Sequence, residues 1–326
     1  MTTSTPVLEL PSSLSRARRK LADRIGDPAL RGLCGLASLV AFALLLLLAY
    51  KVFDQSGSSF SKFGLGFIGH QTWDSGSAQQ FGAADFIFGT LVTSLVAILF
   101  AAPMSIGIAL YLTELAPGKV RRPIATLVEL LAAIPSVVLG LWGILVLAPF
   151  MNSTLEPALH SVLGWIPLFG GSPSGFGLLT ASVILTIMAV PIVSAVTREV
   201  FETVPPELKE GAYALGATRW EMIKMAVLPY ARPGIVGGVI LGLGRALGEA
   251  IAVTQVIGGT QGIHASLFGP GDTLASRVAN EYQGATSPLQ ISSLFYLSAI
   301  LLVIALLVNG TARLIVRRST PAGVMN

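Results

Sequence analysis

Residues 210–229 read EGAYALGATRWEMIKMAVLP, a polar-faced helical stretch from Glu210 to Pro229 set between two long apolar runs. Local signals divide it into two short helices. Pro205 and Pro206 are tolerated only near a helix start, so the first helix is expected to begin there. Gly216 supplies a left-handed residue of the kind that closes helices. Thr218, followed three residues later by Glu221, has the spacing of a capping box for the second helix, and Pro229 is expected to end it. Ala212, Leu215, Gly216, Trp220, Ile223 and Val227 recur at steps of mostly three and four, which predicts one apolar face, flat around Gly216, that a partner can approach closely.

The surrounding composition is that of a membrane protein. Hydrophobic residues make up 53% of the 326 and charged residues 12%, whereas about a quarter of an ordinary soluble domain is charged. Mean hydropathy is +0.74. Cys34, the single cysteine, excludes an intrachain disulfide, and the three histidines have no metal-ligand spacing. No metal and no cofactor is expected.

Residues 1–31 are polar and rich in arginine (Arg16, Arg18, Arg19 and Arg24, with Lys20), a composition that reads as a tail. Gly32 to Tyr50 is uncharged and long enough to cross about 30 Å of hydrocarbon at about 1.5 Å per residue. Its apolar core exceeds that of a cleavable signal peptide, so it reads as an uncleaved anchor. Phe53 to Ala84 mixes Gly, Ser and aromatics, as in a loop with rings at the membrane interface. Further spans are expected over Asp85–Leu115, broken by Pro103, then Ile124–Phe150, Phe176–Thr197, Pro233–Ile257 and Leu289–Ala312. A transmembrane domain over 32–318 and a short tail over 319–326 result, with the loop 198–232 between the fourth and fifth spans.

Placing the first tail inside puts 17 of the 21 basic residues inside and Lys51, Lys62 and Arg277 outside, with Arg245 within a span. The positive-inside rule then gives six helices with both termini cytoplasmic. A β-barrel is excluded by span length and the lack of alternation. The sequence contains no phosphate-binding GxxxxGK[ST] loop, and GLGRALGE fails the dinucleotide pattern because Leu247 stands at the third glycine. No serine triad or paired-carboxylate signature occurs either, so the chain does not read as an enzyme.

The fifth span carries two glycine stripes, Gly234, Gly238 and Gly242 with Gly244 and Gly248, which permit close helix packing. Arg245 and Glu249 lie four apart on one face of it. Charges at mid-span depth face a cavity or a protein interior, which makes this pair a candidate for the substrate pathway.

EGAYALGATRWEMIKMAVLP resembles the EAA loop of ABC importer permeases, whose pattern is E-A-A, three residues, Gly, nine residues, then I-x-L-P. Glu210, Ala212, Gly216, Leu228 and Pro229 match; Gly211 and Ala226 replace an alanine and the isoleucine. GRALGEAIAV, with FGLGFIGHQTWD and FGTLVTSLVAILFAAPMSIGIALYL, is similar to phosphate-specific (Pst) permeases, more to the PstC type than to its PstA partner. The resemblance covers about residues 33–316. It implies the type I ABC importer transmembrane fold in a bacterial plasma membrane, with Glu210, Gly211, Ala212, Gly216, Leu228 and Pro229 in a coupling helix that docks on a separate ATPase. It further implies a PstA-like second permease, two ATPase copies, an extracytoplasmic phosphate-binding protein and phosphate as cargo. Sulfate or molybdate would suit Arg245 as well. A membrane-bound DNA-reading helix-turn-helix is disfavoured, because residues 198–232 hold five basic and five acidic side chains and would gain little from counterion release, so no nucleic acid partner is expected. A secondary transporter or channel is the remaining alternative and would need no ATPase.

Overall fold

The computed structural model describes the backbone of residues 12–319 except residue 77, and side chains between Pro28 and Leu314. Arg16, Arg18, Arg19, Lys20 and Arg24 of the first tail, Arg317 and Arg318, and the tail beyond 319 lie outside the described side chains. The chain divides into two units, Met1–Asp54 and Gln55–Asn326. The first is essentially helix α1 (Ser12–Gln55), whose apolar stretch Pro28–Gln55 includes the expected first span. Cys34 is exposed on it, and its carbonyl accepts from Ser38 Oγ.

The second unit is built on α2 (Ala84–Leu110), α3 (Gly118–Ala133), α4 (Ser136–Leu163), α5 (Leu178–Glu202), α6 (Pro206–Ala214), α7 (Arg219–Gly248), α8 (Ile251–Val256), α9 (Leu274–Glu281) and α10 (Pro288–Ser319). Among the described residues six helices are long and apolar enough to cross a membrane, and no named strand is present. The bundle centres on α2 against α5. Gly89, Thr93, Ala97, Ala101, Ser105 and Ala109 are buried along α2 at intervals of four, a small-residue stripe that lets backbones approach. Two hydroxyls bond across the seam, Ser105 Oγ to the Val190 carbonyl (3.1 Å) and Thr186 Oγ1 to that of Ala97 (3.3 Å).

The first glycine stripe of α7 packs on α5. A Cβ added at Gly234 would lie 2.3 Å from Val200, and one at Gly242 2.5 Å from Val193. The second stripe does not: nothing stands within 4 Å of a Cβ at Gly248, and one at Gly244 would only graze Asn309 at 4.0 Å.

Several expected boundaries move, and prolines explain most of them. Pro103 does not break α2, which continues through it; in an apolar surrounding, the helical hydrogen bonds on either side cannot be exchanged for water. The third span is displaced from Ile124–Phe150 to Ser136–Leu163, because Pro135 forces Ile134 into extended backbone (ψ 124) and ends α3. The fifth begins earlier than Pro233 and stops at Gly248, with Glu249 extended (ψ 123). Pro229 does not end its helix either. It follows a π-turn, Ile223–Val227, in which the Leu228 N–H bonds to the Ile223 carbonyl five residues back. That widened turn relieves the clash between a proline ring and the carbonyl four residues earlier. The π-turns Tyr111–Leu115, Gly143–Leu147 and Met151–Leu155 are likewise followed two residues on by Pro117, Pro149 and Pro157.

The segment 53–84 is not a string of interfacial rings. Phe67, Trp73 and Phe81 are buried and pack with Phe86 and Tyr296, Phe67 stacking on Tyr296 at 4.4 Å and Trp73 meeting Phe81 at 4.9 Å.

Candidate coupling loop and translocation cavity

The turn between α6 and α7 is fixed at both helix ends. Gly216 has φ +81, and the two bonds of a Schellman closure are present, Ala217 N–H to the Ala212 carbonyl (3.1 Å) and Gly216 N–H to that of Tyr213 (2.9 Å). Two residues later Thr218 forms the expected capping box: its N–H donates to Glu221 Oε2 at 2.7 Å, and its hydroxyl accepts from the Glu221 N–H at 3.4 Å. Closure and capping leave one residue, Ala217, between Gly216 and the N-cap, so the turn is stiff.

The expected single apolar face is divided. Ala212, Ile223 and Val227 turn inward and join Ala109, Phe201, Val204, Met222 and Ala231 in a cluster shared by α2, α5, α6 and α7. Leu215, Gly216 and Trp220 turn outward; Leu215 is 88% exposed and Trp220 58%. Nothing lies within 4 Å of a Cβ at Gly216. Tyr213 and Met225 are also exposed, and Lys224 stands 5.6 Å from the Trp220 ring. Of the motif residues, Glu210, Gly211 and Pro229 are exposed, Leu228 is half-buried and Ala212 is buried. The motif therefore serves two surfaces: a buried side that holds the loop on the bundle and an apolar outer knuckle about Gly216.

On α7 the structure corrects the depth of Arg245. It lies in the last turn of a helix ending at Gly248, where the negative end of the helix dipole favours a cation, rather than at the centre of a 25-residue span. Its guanidinium approaches Glu249 at 3.6 Å and is 46% exposed, while the Glu249 side chain is buried at 8%. Glu249 Oε1 also accepts from the Ala252 N–H at 3.3 Å, so that carboxylate braces the break between α7 and α8. Arg245 opens instead on a cavity of about 940 Å³ between α5, α7 and α10, lined by Gly237, Gly244, Asn309 and Arg313 among others. Gly244 of the second glycine stripe thus lies in the cavity wall. Sequence reasoning missed Asn309 and Arg313, having read the arginine only as a basic flank. The signal was present: the two lie four apart on α10, in register for one helix face. Among the described residues no His, Cys, Asp or Glu cluster could hold a metal ion.

Residues 103–321 match the model of the binding-protein-dependent transport system inner membrane component. The chain belongs to that family of permeases. It is 46% identical over 286 residues to a phosphate transport system permease protein PstC of Mesorhizobium japonicum, covering 86% of this chain and 87% of that one. It is 43% identical to the Haemophilus influenzae protein of the same name, covering 87% and 90%. A crystal structure of a bacterial alginate ABC transporter in complex with alginate pentasaccharide-bound periplasmic protein contains a chain of the same fold (TM-score 0.62, 22% identity, 94% of this chain and 100% of that one). The chain is thus a PstC-type membrane permease subunit of an ABC transporter with the type I importer fold, and the ATPase is a separate subunit. An ATPase and a binding protein are its partners in general terms, and the membrane-bound regulator and the secondary carrier drop out.

Proposed function

We propose that this chain forms half of the pathway of an ATP-driven importer for inorganic phosphate, paired with a PstA-like permease, two ATPase copies and an extracytoplasmic phosphate-binding protein. The carrying observation is the stiff apolar knuckle of Leu215, Gly216 and Trp220, a surface that no described element covers, in a chain whose sequence contains no GxxxxGK[ST] loop. The knuckle and the motif residues Glu210, Gly211, Ala212, Gly216, Leu228 and Pro229 form the docking element, and the loop 198–232 with both termini is cytoplasmic. Phosphate as cargo is supported by relatives at 43–46% identity that are phosphate transport system permeases. Arg245, facing the cavity beside Asn309 and Arg313, meets the anion, and Glu249 holds the helix break that aims it.

The purified complex in proteoliposomes should hydrolyse ATP faster with the binding protein and phosphate than with sulfate as control. Equal stimulation by sulfate would remove phosphate as the specific cargo. In the same assay Arg245→Gln combined with Glu249→Gln should assemble yet fail to take up phosphate. Uptake restored in that double variant would make the pair structural and take Arg245 out of the pathway.

A further inference from the structure

Among the described residues, three ion pairs join separate elements at the end of the bundle that carries the loop. Arg121–Glu202 and Arg198–Glu129, both at 2.6 Å, tie α3 to α5, and in each at least one side chain is about half exposed. Water and salt screen such pairs. The third, Lys209–Glu114, is also at 2.6 Å, but the Glu114 side chain is only 8% exposed and Lys209 24%. It joins α6, one residue before Glu210, to the π-turn that continues α2. There Leu112 is buried, and the Ala116 N–H closes the turn on the Tyr111 carbonyl at 2.7 Å.

We propose that the Lys209–Glu114 pair is the link by which movement of the docking loop reaches the membrane bundle, with Glu114 a positioning residue for transport; this rests on the docking role given above to residues 210–229. The buried cluster that also seats α6 is apolar, and apolar contacts are non-directional, so they resist separation better than sliding. A short ion pair at a mostly buried carboxylate resists both. It also grips the right helix. At its other end α2 meets the start of α9 and the residues just before it: the Leu274 N–H donates to Thr90 Oγ1 at 2.9 Å, and a Cβ at Gly89 would fall 2.0 Å from the Asp272 carbonyl. A displacement entering at Glu114 is therefore carried along α2 to the opposite end of the bundle.

Glu114→Gln and Lys209→Gln should each retain the second permease and the ATPase and keep hydrolysing ATP. Phosphate-dependent stimulation and phosphate uptake should fall by about tenfold or more, the size of a typical coupling free energy. The exchange of Glu114→Lys with Lys209→Glu should recover uptake to within about threefold, since it keeps opposite charges at the contact. Near-normal uptake in the single variants, or no recovery in an exchange variant that assembles, overturns the proposal. So does loss of the ATPase from the Glu114→Gln complex, which would make the pair part of docking. If Glu114→Gln does not fold into the membrane or pair with the second permease, Lys209→Gln decides, because the lysine is the less buried partner. Failure of the docking reading itself has a different signature: Trp220→Ala then retains the ATPase, whatever Glu114→Gln does to uptake.

Discussion

The two ends of the bundle use the same residue types to opposite effect. At one end, Trp73, Phe81 and Phe86 are enclosed, and Arg277 is buried between Asp272 (3.2 Å) and Glu281 (2.8 Å) with its guanidinium 4.7 Å from the Phe86 ring. Trp73 Nε1 donates to Glu281 at 2.8 Å, and Gln261 bonds the Trp73 backbone twice. Burial, the largest influence on Asp272, pushes its carboxyl above the usual aspartate range, against the Ser276 hydrogen bond and the Arg277 charge. At the other end, Leu215 and Trp220 face outward and Lys224 lies beside Trp220 in the open. Rings and charges that satisfy one another need no partner. An apolar knuckle on a capped, stiff turn is covered by no described element, which is what the proposed docking on an ATPase requires.

Substitutions should separate the two ends by what they damage. The largest effect on stability is expected from Arg277→Gln, which leaves the buried Asp272 and the partly buried Glu281 without the cation between them. The loss should be about 3–5 kcal/mol, read as a lower melting temperature of the purified permease in detergent. A melting temperature equal to wild type would mean that the enclosed end is not held by this cluster.

Gly216→Leu should cost less, about 1–2 kcal/mol for a left-handed residue bearing a Cβ, since there is open space around it. Its larger consequence should be loss of the ATPase from a normally inserted complex, followed by co-purification. The smallest effect on folding, within about 0.5 kcal/mol, is expected from Trp220→Ala, as its ring is mostly exposed. ATPase retention should nonetheless fall by about tenfold or more, as for an aromatic at the centre of an interface. A Trp220→Ala complex that keeps its ATPase through dilution would erase the contrast between the two ends.

Much of this was written locally in the chain. Six apolar segments, a left-handed Gly216, the Thr218 and Glu221 capping box and the helix start at Pro206 follow from hydropathy and backbone chemistry within a few residues, and each is present. What depended on neighbours distant in sequence was not legible. Whether Pro103 and Pro229 stop a helix is decided by the apolar surroundings and by a π-turn, which no residue pattern near them announces. The three- and four-residue spacing placed Ile223 and Trp220 on one face, yet α2 and α5 cover the first and leave the second bare, because a helix-turn-helix has two axes and a single periodicity does not carry across the turn. The depth of Arg245, its cavity shared with Arg313 and the grip of Lys209 on Glu114 bring together residues dozens of positions apart. Sequence fixes which side chains can form such contacts. Only packing the helices against one another decides which of them meet.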